Sequence, residues 1–419
     1  MSKNTLSSEL AWRGFTKQTT LASPALLDEQ PFTFYFGVDP SAASMTIGNL
    51  ASVMMVRHFI RHGHKAIILI GGATGMIGDP DGKSEERNLK SLEEIDRNKK
   101  GIVEQYSSLF SGLEFSVVDN YDWFKDMNYL TFLRDIGKHV PMRQMLGRDF
   151  VSTRLDAEGA GISYAEFSYV LIQAYDFLHL SREHGANLQL CGSDQWGNSI
   201  AGVDLIRRIT GKESHVWSTP LVVNKTTGIK FGKSEDGAIW LDAKLTSPYK
   251  FYQFWLNTDD AGVIDYMKIY TDLSQDEIVD IEQEFTANTS SRLAQKTLAY
   301  EVTTIVHGEE IAQSVRNVSD VLFGDTDYSA LTARDFAVLK EELGSVAVDE
   351  GAEIIDVLVE AELASSKSEA RRFLESNAIY INGAQIPLSK TTLDSTDNVA
   401  GHAIVRRGKN AQIIIEFKA

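Results

Sequence analysis

Phe32-Thr33-Phe34-Tyr35-Phe36-Gly37-Val38-Asp39-Pro40-Ser41-Ala42-Ala43-Ser44-Met45-Thr46-Ile47-Gly48-Asn49-Leu50 is the stretch on which the fold is decided. Residues 32–38 are aromatic and β-branched, which predicts a strand. A loop of small polar residues follows. Leu50, Val53, Met54, Phe59 and Ile60 then recur at helical spacing up to His62, with Gly63 just beyond as a C-cap. Residues 66–70 form a short, wholly apolar run, the composition of a strand buried in a parallel sheet. Strand, helix and strand in succession make a βαβ unit, and this implies an α/β layer fold. The intervening loop offers free amides at a helix N-terminus together with Ser and Thr hydroxyls, a setting for phosphate. Thr46 and Asn49, three apart, lie over the same first turn. An ordinary βα loop with a Ser cap has the same residue types.

Working outward, Gly71-Gly72-Ala73-Thr74-Gly75-Met76-Ile77-Gly78-Asp79 follows the second strand and leads to Lys83 and Arg87. Its glycines allow a ligand close to the backbone. Asp79 suits an ammonium group, and Lys83 and Arg87 suit polyphosphate. In the helical pattern at 163–179, Tyr169, Gln173 and Asp176 share one face among neighbours that are apolar almost all round. Buried polar side chains need partners, either within the protein or in a substrate pocket. Residues 187–190 predict another buried strand. It leads into Gly192-Ser193-Asp194-Gln195-Trp196, where Asp194 can accept from both hydroxyls of a ribose. Lys230-Phe231-Gly232-Lys233-Ser234 places two lysines three apart beside Gly and Ser, a loop suited to phosphates.

Beyond residue 247 the strand signals fade. Helical periodicity over 262–270, 276–288 and 291–307 predicts an α-helical domain at 248–320. Residues 321–351 are acidic and weakly patterned, a linker. The last segment, 352–419, predicts a small α+β domain. It has helices at 352–362 and 367–376, the second opened by a Ser366/Glu369 capping box, and a hairpin turning at Asn382-Gly383.

At 419 residues the chain has room for two to four domains of roughly 100–200 residues. A hydrophobic fraction of 43% and charged fraction of 24% exclude disordered, collagen-like and disulfide-scaffold classes. The single cysteine, Cys191, has no neighbouring His or second Cys and reads as a small packed residue. No apolar stretch is long enough for a bilayer, and residues 1–21 lack the core of a signal peptide, so a cytoplasmic protein is expected. The net charge of −17 repels bulk nucleic acid. Residues 363–419 nevertheless carry +3 against −20 for the remainder, so the tail differs electrostatically from the body.

Together these segments resemble the bacterial tyrosyl-tRNA synthetases, class I aminoacyl-tRNA synthetases, over essentially the whole chain. The resemblance rests on 35–49, 74–87, Tyr169/Gln173/Asp176, 192–196 and 230–234. The last resembles the Lys-Met-Ser-Lys-Ser signature. The first resembles the His-Ile-Gly-His signature but has Thr46 and Asn49 at the two histidine positions.

The resemblance implies a Rossmann-like catalytic domain at 1–247, an anticodon-side helical domain at 248–320 and an alpha-L RNA-binding domain at 352–419. It implies that Tyr35 and Asp176 hold a substrate phenol, that Asp79, Tyr169 and Gln173 take its ammonium, that Asn120 supports the phenol side, and that Gln195 lies near the carboxylate. Gly37, Asp39, Gly192 and Asp194 would border the adenosine, and Gly48 would belong to the ATP site. Ser41, Thr46, Asn49, Lys83, Arg87, Lys230, Lys233 and Ser234 would face the triphosphate, and Arg371, Arg372, Arg406, Arg407 and Lys409 the RNA. The implied reaction joins L-tyrosine to tRNA through an adenylate. ATP serves as substrate, Mg²⁺ enters with the nucleotide without a dedicated protein metal site, and the chain is a homodimer with no membrane attachment. A synthetase for tryptophan and a non-catalytic RNA-binding protein on the same scaffold are the alternatives.

Overall fold

The computed structural model describes residues 5–79, 90–146, 151, 161–229, 231–234, 237–323, 327–408 and 411–418. It divides into two compact units, one of residues 1–242 with 259–294, the other of 243–258 with 295–419.

The first unit is built on a six-stranded sheet: β1 (Gln18–Thr19), β2 (Thr33–Val38), β3 (Lys65–Ile70), β4 (Phe115–Asp119), β5 (Leu188–Gly192) and β6 (His215–Thr219). The spatial order is β1-β6-β5-β2-β3-β4, with every pair parallel except the edge pair β1–β6. The chain leaves β2 toward β3 and β4, then returns to β5 and β6 on the other side. The β2–β5 junction is therefore a topological switch point, where open α/β sheets bind ligands at the carboxyl ends of their strands. The crossover helix α1 (Ile47–Arg61) buries Leu50, Val53, Met54 and Phe59, and Phe59 packs on Phe34 of β2. Helices α2 (Tyr164–Glu183) and α3 (Trp196–Thr210) pack with Tyr35, Ile67 and Leu69 on the opposite face.

Helices Val263–Tyr270 and Gln275–Ala287 belong to this same unit. Arg13 donates to the carbonyls of Lys268, Thr271 and Leu273, while Arg57 and Arg61 grip Asp272. The helices expected as one domain over 248–320 are thus shared. Helix Pro248–Leu256 joins the second unit, where Phe251 meets His307 edge-on and Gln253 donates to Ser319.

The second unit carries a five-stranded sheet: β7 (Ser345–Val348), β8 (Ile379–Ile381), β9 (Ala384–Gln385), β10 (His402–Arg407) and β11 (Ala411–Phe417). The order is β9-β8-β10-β11-β7. The predicted hairpin turns at Asn382 and Gly383, both with positive φ, the requirement of a type I′ turn. Within the expected linker at 321–351, residues 327–348 are instead structured. Thr332 and Asp335 cap helix Ala333–Leu343, which buries Phe336 and Leu339, and β7 pairs parallel with β11. Ser366 caps helix Lys367–Glu375 as expected, but the Glu369 carboxylate reaches Ser365 rather than Ser366.

Candidate active site

Four parallel strands deliver their carboxyl ends to one place. β2 brings Tyr35, Gly37 and Asp39, β3 leads to Gly71–Asp79, β4 to Asn120, and β5 to Gly192, Asp194 and Gln195. One glycine is required by close approach: a Cβ on Gly71 would lie 2.1 Å from Asp39 Oδ1, a carboxylate that Thr74 and Tyr169 hold in place.

At the deep end Asp176 of α2 is 1% exposed. Trp123 Nε1 donates to its Oδ1 at 2.9 Å, and Asn120 Nδ2 donates to its Oδ2 at 3.1 Å. Burial pushes the carboxyl up to about 8, against the pull of those two bonds. Asn120 is fully buried, and its Oδ1 accepts from the Ala73 amide, fixing the amide's orientation. Tyr35 is also 1% exposed, and its ring lies 5.0 Å from that of Phe177. Its hydroxyl makes no hydrogen bond among the described residues, and burial and then Asp176 hold its pKa well above the ordinary tyrosine value.

Above this end, Asp39 accepts from Tyr169 Oη at 2.8 Å and from Thr74 Oγ1 at 2.6 Å. Asp39, expected beside adenosine, is therefore bonded to Tyr169, one of the residues expected around the ammonium. Asp79 accepts from Gln195 Nε2 at 2.5 Å, and Gln195 Oε1 accepts from Asn198. Gln173 Oε1 is buried without a hydrogen-bond partner among the described residues. Asp176, Asn120 and Tyr169 are thus joined by hydrogen bonds through Thr74 and Asp39, while Asp79 and Gln195 form a bonded pair of their own. Trp123 and Thr74 are parts of this network that sequence reading missed. The resemblance implies Asn120 alone in this segment, and a tryptophan looks like core.

At the helix end, Asn49 Oδ1 accepts from both the Thr46 amide and Thr46 Oγ1, each at 2.9 Å. The two residues that occupy the histidine positions therefore hold each other over the first turn of α1. Ser41 and Asn49 are exposed, and Gly37 and Asp194 open to solvent. The signature loop packs on this turn. A Cβ on Gly232 would lie 3.0 Å from Ile47 Cγ1, and one on Gly48 would lie 3.7 Å from the Phe231 carbonyl oxygen. Phe231 is buried and stacks on Tyr266 at 4.2 Å. Lys83, Arg87 and Lys230 lie outside the described residues, as do the side chains of Lys233 and Ser234.

In the second unit Arg371 and Arg372 stand exposed on helix Lys367–Glu375. Arg407 lies over Phe373 of that helix and donates to the Leu363 carbonyl, while Arg406 lies 4.1 Å over the Tyr380 ring. Lys409 lies outside the described residues.

Residues 27–324 match the family of class I tRNA synthetases for tryptophan and tyrosine. The chain belongs to this family of class I synthetases. Residues 335–415 match the C-terminal domain of tyrosine–tRNA ligases of the SYY-like type. The tyrosine–tRNA ligases of Geobacillus kaustophilus and Geobacillus stearothermophilus are each 42% identical over 421 residues, covering 98% of this chain and 99% of the relative. A C-terminally truncated mitochondrial tyrosyl-tRNA synthetase of Aspergillus nidulans superposes with a TM-score of 0.69 at 30% identity, over 77% of this chain and 95% of the other. Within the class, the chain's place is among the tyrosine–tRNA ligases, with ATP, tyrosine and tRNA as its substrates.

Proposed function

We propose that the phenol of L-tyrosine lies between Tyr35 and Asp176, with Asn120 and Trp123 holding the carboxylate in place. Asp79, Tyr169 and Gln173 take the ammonium, and Gln195 orients the carboxylate. The observation that carries this reading is the pairing of an orphan Tyr35 hydroxyl with a carboxyl pushed up to about 8, both almost wholly buried. Such groups are costly unless a polar ligand completes them.

Adenosine lies along Gly37, Gly48, Gly192 and Asp194, and the triphosphate along Ser41, Thr46, Asn49, Lys83, Arg87, Lys230, Lys233 and Ser234. The tyrosine carboxylate attacks the α-phosphorus in line. A carboxylate–phosphorus bond forms, the bond to the β,γ-phosphates breaks, and pyrophosphate leaves with the electron pair. A terminal ribose hydroxyl of tRNA then attacks the tyrosyl carbonyl and releases AMP. The chain's part is positioning and stabilisation of charge on the leaving pyrophosphate, so no nucleophile–base pair is required. Mg²⁺ would accompany the nucleotide and supply part of its charge neutralisation.

The RNA face is Arg371, Arg372, Arg406, Arg407 and Lys409, supported by the tail's excess of positive charge. Arg371→Glu with Arg372→Glu should weaken tRNA charging and its salt dependence while leaving adenylate formation intact. Equal charging by that variant would remove this face. Among the described residues no helix is long and apolar enough to cross a membrane. We assign the protein to the cytoplasm as a homodimer. Exposed Tyr129, Leu130, Met142, Leu146 and Tyr164 supply an apolar surface for the second copy. The overall reading is tested by ATP–pyrophosphate exchange with each aromatic amino acid. Exchange should depend on tyrosine, and exchange supported equally by tryptophan or phenylalanine would contradict it.

A further inference from the structure

Helix Leu92–Leu109 packs against the loop that joins β2 to α1. Three of its residues, Asn98, Gly101 and Gln105, stand at spacings of three and four and so share one face. They meet the loop in order along its length. Asn98, 4% exposed, donates through Nδ2 to the Pro40 carbonyl at 3.0 Å. Gly101 lets the Ala43 carbonyl come close, since a Cβ there would lie 2.1 Å from that oxygen. Glycine is a poor helix former, so its place in mid-helix calls for a reason, and the approach of another backbone supplies it. Gln105 closes the row. Its Oε1 accepts from the Met45 amide and its Nε2 donates to Ser44 Oγ, each at 2.8 Å. Ser44 is buried, and its hydroxyl is fully used, for it also accepts from the Asp242 amide and donates to the Met45 carbonyl. The next residue is Thr46, which bonds to Asn49 over the first turn of α1.

We infer that Gln105 is a positioning residue for tyrosine activation, acting through Thr46. This rests on the proposed placement of Thr46 against the triphosphate. Asn98 and Gly101 seat the start and middle of the loop, and Gln105 fixes the two residues that lead into Thr46. Thr46 is then held at one place over the helix N-terminus instead of moving with the loop. Stabilisation of the departing pyrophosphate depends on such placement, because a displacement of about 1 Å can cost on the order of a hundredfold in rate. The bonds of Gln105 go to Ser44 and Met45, not to residues proposed for tyrosine, so tyrosine affinity is left untouched.

The test measures single-turnover adenylate formation at saturating tyrosine, and tyrosine binding, for the parent, Gln105→Met, Thr46→Ala and the double variant. Methionine keeps the length of the side chain and removes the amide. Gln105→Met should slow adenylate formation about tenfold, the scale of one hydrogen bond, and leave tyrosine affinity at the parental value. In the Thr46→Ala background the same change should have no effect on the rate, since the group it acts through is gone. Gly101→Ala removes no hydrogen-bonding group but forces the Ala43 carbonyl and the helix apart, and should slow the reaction about a hundredfold, again at parental tyrosine affinity. This variant decides the matter should Gln105→Met fail to fold, and a parental rate in it would overturn the inference. A parental rate in Gln105→Met beside a slowed Thr46→Ala would make the amide a structural anchor and overturn its role alone. A parental rate in Thr46→Ala would overturn the phosphate reading of Thr46 beneath it. Equal slowing by Gln105→Met with and without Thr46, or a loss of tyrosine affinity, would show another route and would also overturn the inference.

Discussion

At the phenol end, Tyr35 and Asp176 ride on a strand and a helix, each 1% exposed, and Asp176 is gripped from two sides by Asn120 and Trp123. At the end proposed for the phosphates, Ser41 and Asn49 ride on a loop and the first turn of a helix and face solvent. The first end is set by packing before any ligand arrives. The second is a surface of donors at a helix N-terminus, against which the Phe231–Gly232 segment rests. The difference fits two tasks. Telling one amino acid from another needs rigid buried partners that are left unpaired by the wrong ligand. Stabilising a departing pyrophosphate needs positive and donor groups where charge develops.

If the two ends are separable in this way, Lys233→Ala should give the largest loss. The activation rate should fall by about 3–4 kcal/mol, hundreds-fold, with little change in tyrosine affinity, as read by single-turnover adenylate formation and equilibrium binding. A collapse of tyrosine binding at an unchanged rate would break the division. Tyr35→Phe should act in the opposite sense. It should lower tyrosine kcat/KM by about 1–3 kcal/mol, ten- to a hundredfold, and leave phenylalanine kcat/KM equal or higher, because the stranded donor is gone. Thr46→Ala should be milder, about tenfold in rate for about 1.4 kcal/mol, since it removes one of the two donors that hold Asn49 Oδ1. Indifference to that change would leave Asn49 and the lysines as sufficient.

An effect on stability, separate from those on rate, sharpens the account of the buried end. Burial raises the folded-state pKa of Asp176 from 3.8 to about 8, so between these values the folded enzyme holds a proton that the unfolded chain has lost. Its contribution is therefore fully present below about pH 4 and is lost as pH rises toward about 8. Relative to Asp176→Asn, the tyrosine-free parent should lose thermal stability across that interval. A difference independent of pH would place the carboxylate in an ionised state throughout.

Much of this arrangement was legible in the sequence, for physical reasons that also explain what was not. The βαβ unit announced itself because β3 and α1 have the apolar periods of a buried strand and a packed helix. The hairpin at Asn382-Gly383 was legible because few residue pairs adopt that turn. The strand Ser345–Val348 was not, since four residues carry little pattern and their partner, Ile414–Phe417, is far along the chain. The Ser366 cap was read correctly, while the shift of Glu369 to Ser365 depends on a local rotamer. In the site, Tyr169 and Asp176 stood out as polar residues in an apolar helix. Trp123 did not, because a tryptophan reads as core. Its place in the site comes from a contact between segments distant in sequence, its indole with Asp176.

The claim that recognition and phosphate chemistry reside in separable ends is tested most directly by one comparison. Adenylate formation is measured with tyrosine and with phenylalanine on the parent and on Lys233→Ala, and the ratio of kcat/KM is taken for each. The account predicts a hundreds-fold slower Lys233→Ala enzyme whose tyrosine-over-phenylalanine ratio equals that of the parent. A ratio that collapses together with the rate would contradict it, because the lysine loop would then be taking part in the choice of amino acid.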